Sequence, residues 1–422
     1  MRPSVCIVTP GYLSSTPRVV KEADALHEAG MAVRVVHTWG GLERKRRHDQ
    51  DLLRDKEWAV ETVKWSPHHL VEFSTYVRYT AQHRLAQWMP TEVWSATRIA
   101  EQVQHRMYPA LARSVSKEPA DLYIGHYPTG LAAAAYGADQ HDALLGYDAE
   151  DYHVGQQPDN VSRIERTDFI ERRYLDRCAH VTAASVGIAS ALADRYEVDN
   201  PLIVHNMFPW AERDGLDGET KDRNGDALSV YWFSQAIGLN RGLQDAIRAV
   251  GLLDKPVQLH IRGGLNEDVE RVLVSIAEGS GVAEQLHFHP QVSPDELLSR
   301  TAEHDVGLTL EQGHTPNRAL CVTNKLFHYP LAGLAVAATD VPGQRRLLEE
   351  HPSFSGLYEP GEAEGLANVL RRWTDRDALE KAKSSALETA RTKWNWEREK
   401  EKLVDQVLQV LKDGRPTPLK NE

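Results

Sequence analysis

The sequence predicts an α/β protein in which two doubly wound, Rossmann-like domains follow one another along the chain. Apolar, β-branched segments of strand length alternate with amphipathic segments of helix length through both halves. A polar, acidic, glycine-containing segment at residues 212–227 separates the two series and is the best candidate for a linker. The length of 422 residues also exceeds what a single hydrophobic core usually holds.

The first half begins with a strand, a helix and a second strand. The pattern places them at residues 5–9, 19–29 and 31–37, with Pro10 and Gly11 in the first turn. A unit of this size joins parallel strands through a right-handed crossover. The alternation continues with strands at 121–125, 143–148, 181–184 and 201–205, and with helices at 129–138 and 160–177.

The second half repeats this order after the polar segment. Its predicted elements are strands at 229–233, 257–262, 286–289, 306–310 and 335–338, and helices at 242–253, 267–279, 294–302, 326–331 and 344–349. The last helix, at about 396–411, is followed by too little sequence to build another unit. We therefore expect it to pack back across the two domains.

Composition limits the class of protein. A formal net charge of −12 argues against a general nucleic-acid binder, which needs a basic face. Cys6, Cys178 and Cys321 lie far apart without zinc-like spacing, and an odd number of cysteines suits reduced thiols in a cytosol. No apolar run has the length of a signal peptide or a bilayer span. These features predict a cytoplasmic protein, with peripheral contact at the inner membrane face left open.

One segment resembles a known family. Residues 324–340 read Asn-Lys-Leu-Phe-His-Tyr, a short spacer, Ala-Gly and an apolar strand, and they look like the donor-site segment of glycosyltransferase family 4. Residues 302–308, which precede this segment, are similar to the family's strand before the donor site. Residues 17–23, with Glu-Ala-Gly at 28–30, resemble the first helix of the family. The match touches both halves and is weakest over residues 42–116.

The resemblance implies a GT-B fold, in which two Rossmann-like domains face each other across a cleft and a C-terminal helix crosses back. The implied acceptor-side domain is 1–208, the nucleotide-sugar domain is 209–394, and the helix at 395–415 packs back on the first. The implied activity is hexosyl transfer from a UDP- or GDP-linked donor to a glycan, lipid-linked or small-molecule acceptor. Family members retain the anomeric configuration and need no metal, and no further cofactor is expected.

A phosphate site follows from the chemistry of transfer. Charge develops on the departing diphosphate, and cations and helix N-terminal amides stabilise it. By resemblance, Arg241 and Lys325 are the two basic residues, and both occupy predicted strand-to-helix turns. The amides near Thr323 and Asn324 would cap a helix that starts at about Lys325 and would face the phosphate.

The sequence departs from the family at the ribose end of this site. Members often carry two glutamates eight positions apart, whereas Leu320 and His328 stand at the matching positions here. Two interpretations of His328 stay open, as a hydrogen-bonding partner of a ligand hydroxyl or as a structural helix histidine. Backbone groups of the turn at 289–292, including Val292, are expected to meet the base.

Three candidates lie in the first half. Gly11 follows the first strand, where the absence of a side chain would let a ligand approach the backbone. His126 follows the strand at 121–125, where family members often have a histidine that reaches the sugar. Asp151 belongs to an acidic cluster after the next strand and could position or deprotonate an acceptor hydroxyl.

Other interpretations compete with these. A sugar-nucleotide epimerase on the same fold and a non-catalytic scaffold of transferase ancestry both remain open. Asp49 and Asp51 form an Asp-x-Asp pattern within a charged stretch and are interpreted as solvated rather than as metal ligands. The basic run at 44–47 could dock a membrane surface or a lipid-linked acceptor. We interpret it as a solvated loop and the nearby tryptophans as core.

Overall fold

The computed structural model describes residues 2–199, 201–221, 223 and 227–414. The chain forms two compact units. Unit 1 contains the residues up to Val204 together with the chain from Lys400 onward, and unit 2 spans His205–Glu399.

Unit 1 is built on a parallel sheet. In the described residues its strands are β1 (Ser4–Val8), β2 (Ala32–Trp39), β3 (Ala59–Lys64), β4 (Leu122–His126), β5 (Leu144–Ala149), β6 (His180–Ala183) and β7 (Leu202–Ile203). The strand order is β3-β2-β1-β4-β5-β6-β7, and each neighbouring pair runs parallel. This arrangement confirms the predicted α/β class for the first half.

Helices connect these strands. They are α1 (Pro17–Glu28), α2 (Glu43–Leu53), α3 (Leu70–Gln87), α4 (Ile99–Gln104), α5 (Tyr108–Val115), α6 (Tyr127–His141), α7 (Val161–Tyr174) and α8 (Val186–Tyr196). The start of α6 lies directly against the strand ends, because a Cβ on Gly130 would stand 2.6 Å from the carbonyl oxygen of Val8.

Unit 2 has a second parallel sheet. Its strands among the described residues are β8 (Leu228–Ala236), β9 (Val257–Gly264), β10 (Leu286–His289), β11 (Val306–Thr309), β12 (Ala335–Thr339) and β13 (Ser355–Tyr358). The order is β10-β9-β8-β11-β12-β13, again with parallel neighbours. Strand β13, a short strand at the end of this sheet, is not among the strands predicted from the sequence.

The helices of unit 2 are α9 (Leu243–Gly251), α10 (Glu267–Gly279), α11 (Pro294–Ala302), α12 (Pro316–Leu320), α13 (Lys325–Ala332), α14 (Pro342–Leu348), α15 (Ala363–Arg372) and α16 (Arg376–Thr392). The last helix, α17 (Trp396–Asp413), belongs to unit 1 from Lys400 onward. There the Nζ of Lys400 lies 2.7 Å from the carboxylate of Glu28.

The order of strands reverses once in each sheet. The reversal lies between β1 and β4 in unit 1 and between β8 and β11 in unit 2. At such a switch point the loops leave in opposite directions and open a crevice outside the carboxyl ends of the strands, where α/β proteins bind ligands. The loops after β1, β4, β8 and β11 are therefore the candidate ligand-binding loops.

The described residues of the polar segment 212–227 belong to unit 2. Arg300 forms an ion pair with Asp217, and the Nη2 of Arg223 lies 2.9 Å from a carboxylate oxygen of Asp305. The described part of this segment is thus attached to the body of unit 2 by charge pairs that sequence alone does not reveal.

Two expectations for the charged stretch after β2 are wrong. Asp49 is buried, not solvated, and accepts hydrogen bonds from the amide of Ser14 at 2.7 Å and from the indole of Trp39 at 2.8 Å. The basic run lies in helix α2 rather than in a loop, and Arg46 is buried beside Glu72. Trp88, expected in the core, is 88% exposed.

Candidate functional site

The candidate site of unit 2 begins at the turn after β8. A 3-10 turn at Leu239–Arg241 leads to Gly242, whose φ of 74° places it in the left-handed region before α9. A Cβ on Gly242 would lie 2.4 Å from the side-chain nitrogen of Gln312 and 3.0 Å from the carbonyl oxygen of Leu310. The turn that carries Arg241 therefore packs directly on the loop that follows β11.

Lys325 is the first residue of α13, where the sequence predicted that a helix starts. Its side chain is 13% exposed, and its Nζ lies 3.8 Å from a carboxylate oxygen of Glu311. The same ammonium lies 5.5 Å from the ring centroid of Trp232 and 6.0 Å from that of Phe233, both on β8. These contacts hold the ammonium at the switch point between β8 and β11.

Positive charge is in excess around Lys325. Burial lowers the pKa of Lys325, and the positive charges of Arg241 and Arg318 lower it further. The carboxylate of Glu311 acts in the opposite direction and raises this pKa. Glu311 is shared, because its other oxygen lies 3.2 Å from the guanidinium of Arg318. One carboxylate thus contacts two cations, and Arg241 is near enough to lower the pKa of Lys325 as well. This surplus of positive charge favours binding of an anion.

The start of α13 adds backbone donors to this charge. In the described part of the chain, the N–H groups of residues 322–325 donate no hydrogen bond, as expected at the first turn of a helix. The side chain of Asn324 accepts a hydrogen bond from Asn206 at 3.2 Å. A Cβ on Gly343 would lie 2.5 Å from the carbonyl oxygen of Cys321, so α14 packs closely on the loop before α13.

His328 lies in the interior of unit 2. It is 3% exposed, its Nε2 is 3.1 Å from the hydroxyl of Thr301, and its ring packs edge-on against Phe208 and Phe233. Burial lowers its pKa to about 4. This placement favours the structural interpretation of His328 over a contact with a ligand hydroxyl.

Val292 lies in the turn after β10 and is half-buried. The carbonyl of Pro290 accepts a hydrogen bond from Arg262 at 2.6 Å, and the side-chain amide of Gln291 donates to the carbonyl of Gln235. These bonds attach the turn to β9 and to the end of β8. The turn is therefore ordered at the same edge of the sheet as Arg241.

The switch point of unit 1 contains a buried network of charged side chains. His126, at the end of β4, lies 2.6 Å from the carboxylate of Glu22 on α1. Asp148, on β5, is held by the Nε of Arg18 and accepts a hydrogen bond from the hydroxyl of Thr182 at 2.8 Å. Burial opposes the charge on His126, but Asp148 and Glu22 outweigh it and raise the pKa of His126 to about 9. His126 is thus an imidazolium at neutral pH.

Glu150 is the member of this network nearest to solvent. Its side chain is 19% exposed, one oxygen lies 3.9 Å from the Nδ1 of His126, and the other accepts a hydrogen bond from Tyr127 at 3.1 Å. Burial raises the pKa of Glu150. Tyr127 has a φ of 63°, a left-handed conformation that non-glycine residues adopt at a cost. The arrangement can hold a carboxyl group ready to exchange a proton.

Asp151 and Gly11 are the other two candidates of unit 1. Asp151 is half-buried and accepts a hydrogen bond from the side chain of Gln156 at 2.9 Å. Gly11 follows β1, and its carbonyl accepts from the amide of Thr38 at 3.4 Å. A Cβ at Gly11 would meet only the methyl of Thr16 at 3.9 Å, so the backbone there does not require glycine.

Among the described residues, Glu22, His126 and Asp148 bring potential metal-ligand atoms within 4.8 Å of one another. Arg18 already neutralises Asp148, and the imidazolium of His126 pairs with Glu22. The carboxylates therefore have cationic partners from the chain itself, and a metal ion would have to displace them.

Several residues of the two sites were not assigned by the sequence. Arg18 and Glu22 belong to the segment that resembles the first helix of the family, but neither they nor Arg318 have a role predicted from the sequence. The sequence does contain a signal for Arg18 and Glu22 as a charge pair, because they stand four positions apart on an otherwise apolar face of a helix. No sequence signal marks Arg318, because only the loop after β11 brings it beside Glu311.

Comparisons with solved structures identify the fold. HepE from Anabaena, in complex with UDP and glucose, matches with a TM-score of 0.65 and 13% identity over 97% of this chain and 100% of that one. Sucrose-phosphate synthase from Thermosynechococcus elongatus matches with a TM-score of 0.69 and 14% identity over 98% and 100%. This chain therefore has the α/β GT-B fold.

The same architecture also occurs in a protein from Listeria monocytogenes that is described as a candidate UDP-N-acetylglucosamine 2-epimerase. It matches with a TM-score of 0.59 and 12% identity over the full length of both chains. No protein-family model and no curated protein matches the sequence. At these identities the similarity establishes the fold, and function has to be argued from the site.

Proposed function

We propose that this chain is a glycosyltransferase that uses a nucleoside diphosphate sugar as donor. The observation that carries the proposal is the excess of positive charge at the switch point of unit 2. Lys325 and Arg318 both lie beside the carboxylate of Glu311, and the positive charge of Arg241 lowers the pKa of Lys325 further. Burying an ammonium among other cations is unfavourable unless an anion compensates it, and a diphosphate supplies that anion.

The arrangement suits the departure of a diphosphate. In the proposed reaction the bond between the anomeric carbon and the diphosphate breaks while an acceptor hydroxyl attacks, and negative charge grows on the departing oxygen. Arg241, Lys325 and the N–H groups that open α13 would stabilise this charge more strongly in the transition state than in the bound donor. In unit 1, Glu150 beside His126 would take the proton of the acceptor hydroxyl.

The finer features of the proposal rest on the family resemblance. We propose a member of glycosyltransferase family 4 that transfers a hexose with retention, without a metal ion, and by front-face displacement. HepE was crystallised with UDP and with UDP-glucose, and by analogy we propose a UDP-linked donor. The acceptor would be a glycan, a lipid-linked molecule or a small molecule.

Thermal unfolding with UDP, GDP, ADP and TDP tests the donor site. A ligand that binds the native state raises the apparent stability, so at least one diphosphate should raise Tm. Arg241→Ala and Lys325→Ala should abolish this shift while the proteins stay folded. Arg271→Ala, a change in an exposed arginine on α10, is the matched control and should keep the shift. Full ligand response in both site variants would contradict the proposal.

Sugar-nucleotide epimerisation is the second candidate, because the same fold is found in the Listeria protein. An epimerase needs acid and base groups at the sugar and no acceptor. Incubating the chain with a UDP-sugar alone and following the sugar by NMR separates the two. A new sugar without acceptor would favour epimerisation, whereas the absence of a Tm shift with all four diphosphates would favour a non-catalytic scaffold.

A further inference from the structure

Helix α3 in unit 1 carries an apolar stripe that faces solvent. Leu70, Phe73, Val77, Leu85 and Trp88 recur at helical spacing and fall on one side of the helix. All five are exposed, with Leu70 at 96%, Leu85 at 70% and Trp88 at 88%. From Leu70 to Trp88 the stripe extends about 27 Å at about 1.5 Å per residue. Contiguous exposed apolar surface of this kind marks an interaction site.

The opposite side of α3 shows that the helix already packs against unit 1 through another face. Tyr79 and Ala86 are buried on that side, and Glu72 pairs with Arg46 of α2. The helix therefore already has a face packed against unit 1. The stripe is a second apolar face, which the described part of the chain leaves uncovered.

A basic groove adjoins the stripe. It lies between α3, β3 and α5, has a volume of about 430 Å³, and its lining includes Lys64, Arg78, Arg113 and Lys117. Glu61, also in the lining, is already paired with Lys117 and with Arg34, the latter at 3.3 Å.

The groove holds uncompensated positive charge. Arg78 and Arg113 both approach the ring of Tyr79, at 5.6 Å and 5.9 Å from its centroid, and Arg113 donates a hydrogen bond to the Tyr79 hydroxyl at 2.8 Å. Within the described residues neither guanidinium has a carboxylate partner. Two cations held around one phenol fit a single anionic group such as a phosphate.

We propose that this face of unit 1 binds an anionic phospholipid bilayer, with the α3 stripe in the interface and a lipid phosphate in the adjoining groove. Amphipathic helices bind in this way when apolar side chains enter the interface and cations lie beside them. The whole chain has a net charge of −12, so this cationic surface is a local feature.

A second copy of the chain is a less suitable occupant. In a twofold symmetric dimer the stripe would meet itself, so Arg78 and Arg84, which are exposed beside it, would approach the same cations of the other copy. Like charges across an interface disfavour association. A bilayer instead presents anionic groups to these side chains. No helix among the described residues is long and apolar enough to cross a membrane, so the proposed contact is peripheral.

Flotation of the full-length chain with vesicles tests this proposal. Binding should be strong to vesicles of phosphatidylcholine with phosphatidylglycerol at low salt, weaker at high salt, and weak to phosphatidylcholine alone. The double variant Leu70→Ser with Trp88→Ser should lower partitioning roughly tenfold or more. Leu252→Ser with Val272→Ser, a matched pair of exposed apolar residues in unit 2, should bind like the parent chain.

The groove is tested separately. Arg78→Gln should lower partitioning to phosphatidylglycerol vesicles about fivefold and leave binding to phosphatidylcholine unchanged, whereas Arg271→Gln in unit 2 should change neither. All altered side chains are exposed, so thermal unfolding should show that the variants stay folded.

Three outcomes would overturn the proposal. The parent chain could fail to float with anionic vesicles, or the serine double variant could float as well as the parent. Sedimentation velocity without lipid could also show a dimer that the double variant converts to a monomer, which would assign the stripe to a second copy. None of these measurements uses a sugar donor, so their failure is distinguishable from failure of the proposed transferase activity.

Discussion

Arg18 holds Asp148 inside unit 1, with its Nε 2.8 Å and 2.9 Å from the two carboxylate oxygens. Both side chains are only 3% exposed. Burial opposes the charge on Asp148, but Arg18 and His126 outweigh it and lower the pKa of Asp148. The contact ties α1 to β5 and orders the end of the sheet at which the proposed acceptor would bind.

Asp148→Asn should therefore destabilise the protein. It would leave Arg18 buried without its carboxylate, and removing one partner of a buried pair typically costs roughly 3–5 kcal/mol. Urea unfolding measures the change in the free energy of unfolding. Asp51→Asn, at an exposed position in α2, is the control and should change stability by less than about 0.5 kcal/mol. Equal stabilities of the two variants would contradict this account.

His126 should make stability depend on alkaline pH. Its pKa is raised from 6.5 to about 9, so the native state binds the proton more tightly than the unfolded state. The stabilisation is fully present below pH 6.5 and is lost as the pH rises through 9, an effect of roughly 3 kcal/mol. Unfolding of the parent chain and of His126→Gln across this range checks it. The variant should show a flatter profile, and identical slopes would refute the assignment.

A stack of histidines in unit 2 should make the stability of the protein fall at acidic pH. The Nδ1 of His260 lies 3.0 Å from the Nε2 of His289, and its ring also approaches His287 and His304, each at 4.7 Å between centroids. Burial, with added repulsion from His287 and His289, lowers the pKa of His260 to about 3. The unfolded state then binds the proton more tightly, so stability should fall as the pH drops below 6.5. His260→Leu should reduce this acid sensitivity, measured by unfolding between pH 7 and about pH 4.

Gly242→Ala should damage both the fold of the β8 turn and nucleotide binding. The left-handed φ disfavours alanine, and the added Cβ would press on Gln312 and Leu310. We expect a loss of about 1–3 kcal/mol and a smaller Tm shift with the diphosphate that binds the parent chain. Gly279→Ala, in α10 where a Cβ meets nothing within 4 Å, should leave the Tm shift unchanged. An undiminished shift in Gly242→Ala would show that the turn is not part of the site.

Lys325→Met should raise the stability of the ligand-free chain and weaken its binding of the diphosphate. Burial and the nearby arginines disfavour the ammonium in the ligand-free chain, so its removal should raise the free energy of unfolding by about 1 kcal/mol. The same variant should lose stabilisation by the diphosphate. Arg346→Met, at an exposed position in α14, should change neither property. A variant that is less stable and still responds to the diphosphate would contradict the proposed role.

The sequence alone predicted much of this architecture. Strand periodicity and the turns at Gly11 and Arg241 indicate two parallel sheets, and the prediction of a helix that begins at about Lys325 is confirmed. These features are local, because they depend on side-chain spacing and on residues that end helices and strands. The proposed sugar donor and the roles of Arg241 and Lys325 stay predictions.

The tertiary structure decided which side chains meet. Asp49 lies in a charged stretch whose pattern predicts exposure to solvent, yet its side chain is buried. The amide of Ser14 and the indole of Trp39, which come from other elements, donate hydrogen bonds to its carboxylate. The sequence leaves two interpretations of His328 open, and the direction of α13 decides between them by turning the side chain towards Thr301. Periodicity shows that a residue lies on a helix or strand, whereas burial and pairing depend on elements far away in sequence, which only the folded chain brings together.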